Sequence, residues 1–131
     1  MRKLLTAALI VAATFSFALA QQQTAPKTLE DITRLAHAPS MTDGIGRAVI
    51  VVSDKDGNPI SNAYAKMESI WGGDNFCESW GTTGSLGALA LNPIHMGKLK
   101  LTIKAKGYET QKITVDASSL SEPVRVTLVR K

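Results

Sequence analysis

The sequence has 131 residues, 44% of them hydrophobic and 20% charged, an ordinary balance for one globular domain. Its formal net charge of +4 comes from 15 basic and 11 acidic residues, too even a split to mark a nucleic-acid-binding chain. One cysteine excludes an internal disulfide framework, and two histidines leave little for a metal centre.

Arg2 and Lys3 open the chain with positive charge. Leu4 to Phe17 follow as an apolar or small run, interrupted only by Thr6, Thr14 and Ser16. Ala18-Leu19-Ala20 then gives the small-x-small pattern that a signal peptidase accepts. Residues 1–20 are therefore expected to be a Sec-type secretory signal peptide, cleaved after Ala20, with the mature chain starting at Gln21. The run is shorter than the ~20 apolar residues of a membrane span, and no second long run occurs, so no transmembrane anchor is expected. The expected location is secreted or periplasmic. Without Arg2 and Lys3 the 15 basic residues fall to 13 against 11 acidic, so the basic character belongs partly to the discarded segment. Export places the lone Cys77 where disulfides persist. The favoured reading is a buried, inert thiol. The other is an exposed one, a candidate for an intermolecular disulfide and a Cys77-linked dimer.

Residues 21–45 form a leader. Gln21 to Lys27 reads as a flexible start, and Thr28-Leu29-Glu30-Asp31 resembles a helix capping box. Leu29, Ile32, Leu35 and Ala36 share one face of a short helix, which Pro39 and Gly44 end. A helix so short must dock on the domain or stay partly disordered.

From residue 46 to residue 131 the pattern is strands and turns. Ala48 to Val52 reads as a buried strand, and Asp54-Lys55-Asp56-Gly57-Asn58-Pro59 as a turn. Asn62 to Ile70 continues as a second strand. Trp71 to Gly87 reads as an irregular, glycine-rich loop, and Leu86 to Ile94 as a short strand ended by Pro93. Lys98 to Ala105 alternates most clearly, with Leu99, Leu101 and Ile103 against Lys98, Lys100, Thr102 and Lys104. Gly107 turns the chain into a partner strand over Glu109 to Val115, and Val124 to Val129 closes the domain. Turn-separated short strands in a chain of this size predict an all-β, antiparallel sandwich.

Three segments, in this order and spacing, resemble the carboxypeptidase regulatory-like domain. The first is Val52-Ser53-Asp54-Lys55-Asp56-Gly57-Asn58-Pro59-Ile60-Ser61-Asn62-Ala63. The second is Gly87-Ala88-Leu89-Ala90-Leu91. The third is Gly97-Lys98-Leu99-Lys100-Leu101-Thr102-Ile103-Lys104-Ala105-Lys106-Gly107-Tyr108, and Val126-Thr127-Leu128 suits the family's last strand. Ser85 and Leu86 stand where the family often has Asp before its glycine, and Leu89 and Leu99 replace usual aromatics. The resemblance implies a transthyretin-like, Greek-key sandwich of about seven strands, six to eight, similar also to immunoglobulin-like folds. In metallocarboxypeptidases this module is an accessory beside the zinc domain. The related hydroxyisourate hydrolases end in Tyr-Arg-Gly-Ser, whereas this chain ends Leu128-Val129-Arg130-Lys131 and lacks their histidine pattern.

The residues themselves offer little catalytic chemistry. His37, His95, Cys77 and Asp74 have no metal-ligand spacing, and no Gly-x-Ser-x-Gly elbow occurs. Cys77 with His95 is the one Cys–His pair to test as a small enzyme or metal site. The candidate binding residues are Trp71, Asp74, Asn75, Phe76 and Trp80, because aromatic faces beside polar groups stack sugars or grip a protein. Packing of one or both tryptophans beneath the loop is the favoured alternative. Lys98, Lys100 and Lys104 form a basic stripe that reads best as a solvated, edge-protecting face. The expectation is an exported, non-catalytic module with no cofactor and no nucleic-acid partner. Its partner would be an envelope or extracellular protein, or a polysaccharide.

Overall fold

The computed structural model describes residues 28–41 and 44–131. The proposed signal segment, Gln21 to Lys27, Thr42 and Asp43 lie outside the described residues. A short helix α1 (Leu29–Thr33) follows the cap at Thr28, whose Oγ1 accepts the Asp31 backbone N–H at 3.1 Å. That is the N-cap half of the expected capping box.

Nine strands follow among the described residues: β1 (Ile45–Gly46), β2 (Val49–Ser53), β3 (Tyr64–Trp71), β4 (Asp74–Thr82), β5 (Ala88–Ala90), β6 (Ile94–His95), β7 (Lys98–Lys104), β8 (Gln111–Val115) and β9 (Val124–Thr127). One sheet has the order β4-β3-β7-β8, a second β5-β2-β9, and β1 pairs with β6 as a two-stranded ribbon. The chain is an all-β sandwich. Alternation sets the inner faces: Ala65, Met67 and Ser69 of β3 pair with Ile103, Leu101 and Leu99 of β7, all buried. From the other sheet, Ile50 and Val52 of β2 and Val126 of β9 join them in one core. β2 is buried along Val49 to Val52, as a central strand must be.

Three details depart from the sequence reading. Trp71 to Gly87 is not an irregular loop; most of it is β4, the longest strand. The expected strand from Leu86 to Ile94 is two strands, β5 and β6, divided at Asn92-Pro93. The sandwich is also not wholly antiparallel, because β9 runs parallel to β2, with Ile50 opposite Val124 and Val52 opposite Val126. Hydrophobic period reports burial but not strand direction, so nothing in the sequence distinguished that pair.

Three buried hydroxyls tie connections to the four-stranded sheet. Ser69 Oγ accepts the Gly97 N–H at 2.7 Å, and Ser79 Oγ accepts the Asn92 N–H at 2.9 Å. Thr83 Oγ1 accepts from Ala63 N and donates to the Ile60 carbonyl. Each satisfies backbone groups that the sheets leave over. Together the two serines fix the path from β5 to β7 across one end of the sandwich.

Candidate functional site

The segment holding the predicted binding residues is a tight β-hairpin. Trp71 pairs with Asp74 across Gly72-Gly73, whose φ values are +57° and +87°. Two successive positive φ angles make the two-residue turn whose twist matches the flanking strands, and glycine adopts them without a Cβ penalty. Between Ser69 and Ile70 the register shifts, because Ser69 faces Cys77 while Ile70 faces Asn75. Phe76 is thus the extra residue of a β-bulge, the usual device for re-aiming a side chain.

The re-aimed ring completes an aromatic cluster. Trp71 and Phe76 meet edge to face with centroids 6.5 Å apart, and Phe76 meets His95 the same way at 5.9 Å. His95 belongs to β6 and stands opposite Ile45 of β1. Trp71 also lines a cleft of about 980 Å³, with Met41, Lys98 and Asp116 on its walls. Met41, Ile45, Trp71 and Phe76 are 64%, 54%, 40% and 56% exposed. The packing reading of Trp71 is therefore corrected: its indole edges against Gly97 and Phe76 but stays open to solvent.

The other predicted residues go elsewhere. Trp80 is 59% exposed and pairs with Lys66 on the outer face of the four-stranded sheet, so neither tryptophan forms a satellite core. Asn75 donates its amide to Glu68 at 3.3 Å and to Glu78 at 3.1 Å on that same face. Asp74 is exposed at the start of β4. Cys77 is half-buried on β4 opposite Ser69, between its two expected extremes. Four of the five predicted residues thus divide between an end cluster, Trp71 with Phe76, and an outer-face set, Asn75 with Trp80, while Asp74 stands at the hairpin turn opposite Trp71.

Among the described residues no three His, Cys, Asp or Glu side chains gather as a metal set. His37 is engaged through its backbone, which exchanges two hydrogen bonds with Arg47 at 3.0 and 2.8 Å. On the cleft wall, the Asp116 carboxylate accepts Ser118 N–H at 3.0 Å and its hydroxyl at 2.9 Å. These bonds hold its pKa below the ordinary aspartate value, the Ser118 N–H most strongly.

Sequence reasoning missed Met41 and Ile45, which have no aromatic or charged signature, and the joining of His95 to Phe76. The signal available was Trp71-Gly72-Gly73-Asp74, a two-residue hairpin turn between strand residues. No protein-family model matches the sequence, and no curated protein matches it either.

Proposed function

We infer that this protein is an exported, non-catalytic β-sandwich module that binds a protein partner or another ligand at the cell envelope. The binding end is the one carrying the β3–β4 turn. One observation carries the reading: Met41, Ile45, Trp71 and Phe76 lie exposed in one neighbourhood beside the cleft. Contiguous exposed apolar surface of this kind marks interaction sites, and aromatic anchors dominate their energetics. The polar groups there support binding over catalysis. Asp116 is held by its own turn, and a carboxylate so stabilised is a weak base. Resemblance to an accessory domain of carboxypeptidases and the signal-peptide pattern point the same way.

The test has two parts. N-terminal sequencing of protein recovered outside the cytoplasm is expected to begin at Gln21; retention of Met1 in the cytoplasm defeats the export reading. Affinity capture from the extracytoplasmic fraction is then compared between the wild type and a Trp71→Ala/Phe76→Ala variant with an unchanged melting curve. Loss of the captured species in the variant is expected. Identical capture defeats the assignment of this end.

A further inference from the structure

The outer face of the four-stranded sheet carries a second feature, remote in character from the apolar end. Register places Trp80, Lys66, Thr102 and Lys112 in one row across all four strands. The adjacent row is Glu78, Glu68, Lys100 and Thr114. Lys104 pairs with Tyr64 and Lys98 with Ile70 on the same face. Thr102 therefore has a lysine on each neighbouring strand, Lys66 and Lys112, and one two residues away along its own strand in each direction, Lys100 and Lys104. Neighbouring strands lie about 4.8 Å apart and alternate residues about 6.8 Å apart, so the ammonium groups converge on one region.

Two carboxylates, Glu78 and Glu68, offset this charge only in part, and Glu68 stands opposite Lys100. Glu78 engages Lys66 at 3.6 Å and also accepts from Asn75. Among the described residues no ion pair is recorded for Lys98, Lys100, Lys104 or Lys112. The face is concave over β7 and β8, with a depression of about 150 Å³ whose polar lining is Lys100, Thr102, Lys112 and Thr114 together with Glu68 of β3. Two ammonium groups and two hydroxyls around such a hollow provide the donors that a sulfate or carboxylate group needs. Two to three strand spacings away, about 12 Å, the Trp80 indole lies exposed on β4, opposite Lys66 and two residues from Glu78. An exposed aromatic face with polar groups beside it suits the C–H face and hydroxyls of a sugar.

We propose that this face is a binding site for an anionic polysaccharide, with its sulfate or carboxylate groups held by Lys100, Lys112, Thr102 and Thr114 and a sugar ring stacked on Trp80. The site does not use the Trp71–Phe76 end, so either assignment can fail without the other.

The test is titration of the purified protein with heparin, polygalacturonate and neutral dextran at low salt, read by tryptophan fluorescence and calorimetry. Three variants with unchanged melting curves accompany the wild type: Lys100→Gln/Lys112→Gln, Lys55→Gln/Lys106→Gln and Trp80→Ala. Lys55 and Lys106 are exposed turn residues outside the strands of this sheet, and their variant removes the same charge. Binding to an acidic polymer and not to dextran is expected, weakening with salt. The Lys100/Lys112 variant is expected to bind about tenfold more weakly, the scale of losing two charge contacts, with the Lys55/Lys106 variant close to wild type. Trp80→Ala is expected to weaken binding and abolish the fluorescence change. No binding to either acidic polymer overturns the proposal. So do equal losses in the two lysine pairs, which mean diffuse charge alone. Tighter binding to phosphatidylglycerol vesicles or oligothymidylate than to either polysaccharide also overturns it.

Discussion

Gly97 sits where no side chain fits. A Cβ there would lie 2.6 Å from Trp71 Nε1 and 2.7 Å from the Ile70 carbonyl oxygen. One neighbour is backbone, so relief requires the β6–β7 connection to move. Gly97→Ala is expected to destabilise the protein by about 1–3 kcal/mol, the usual cost of overpacking, and to shift tryptophan emission as Trp71 is displaced. Urea melts and emission spectra check both. The sequence marks this glycine only as the first residue of a motif-like segment and not by its constraint, which comes from Trp71, 26 positions earlier, and from the Ile70 carbonyl. Asp54 is the opposite case. Its carboxylate accepts the backbone N–H groups of Asp56 and Asn58, each at 2.9 Å, as the Asp-x-Asp-Gly turn chemistry suggests. The Asn58 N–H bond is the largest influence and holds the Asp54 pKa below its ordinary 3.8, against a smaller desolvation effect. A carboxylate depressed in the folded state stabilises it fully above its unfolded pKa. That contribution disappears as pH falls through the folded value. Asp54→Asn is therefore expected to lower the melting temperature near neutral pH, with the gap closing below the ordinary aspartate range. A gap that stays constant through acid would show that the charge is irrelevant.

At the scale of elements, alternation was legible wherever one strand face is wet. Leu99, Leu101 and Ile103 of β7 are buried and Lys98, Lys100 and Lys104 exposed, as read, but β7 lies between β3 and β8, so these lysines protect no sheet edge and that part of the reading is corrected. β4 was not legible: its residues Asp74-Asn75-Phe76-Cys77-Glu78 lack clean alternation, because a bulge inserts Phe76 and the strand lies at a sheet edge. The candidate site suffered for the same reason, since a loop gathers neighbouring residues whereas a strand sends them to opposite faces. Phe76 and Trp80, four residues apart, would share a face of a regular strand, and the bulge at Phe76 is what sends them to different surfaces. The hydroxyl ties were equally hidden, because Ser69 and Ser79 look like solvent-facing breaks in strands. Yet Ser69 is fully buried and is recorded as acceptor for the Gly97 N–H. Ser69→Ala removes the acceptor and leaves that part-buried donor without it. A loss of about 1 kcal/mol is expected, the net worth of a typical hydrogen bond. Exchange of the Gly97 amide proton should also accelerate relative to those of β7. A change confined within error on both measurements would mean that water replaces the hydroxyl at no cost.

At the scale of the whole molecule, the leader and the sandwich meet. The Gly46 Cα faces the leader so closely that a Cβ would lie 2.8 Å from the His37 carbonyl oxygen and 2.9 Å from Pro39 Cδ. His37 and Arg47 exchange two backbone hydrogen bonds, and Ala38 packs against the main core. Of the two sequence alternatives for this short helix, docking or partial disorder, the described portion takes docking. Periodicity gave the helix but not its contact surface, because α1 has no fully buried residue. The docking therefore rests on the approach of α1 to β5 together with the extended residues after α1, which carry no periodic signal. This predicts an asymmetric response to truncation. A chain beginning at Thr28 should melt like one beginning at Gln21. A chain beginning at Gly44 loses the His37–Arg47 pair, the cover over Gly46 and the packing of Ala38 on the core. Two backbone hydrogen bonds at about 1 kcal/mol each set the expected loss near 2 kcal/mol, with the uncovered apolar surface adding to it. In a domain of this size that is a fall of about 10 °C in melting temperature. The test is differential scanning calorimetry of the three chains. A single cooperative transition that shifts only for the Gly44 chain makes the segment part of the folding unit. Equal melting of all three would make it a tether that rests on the sandwich without supporting it.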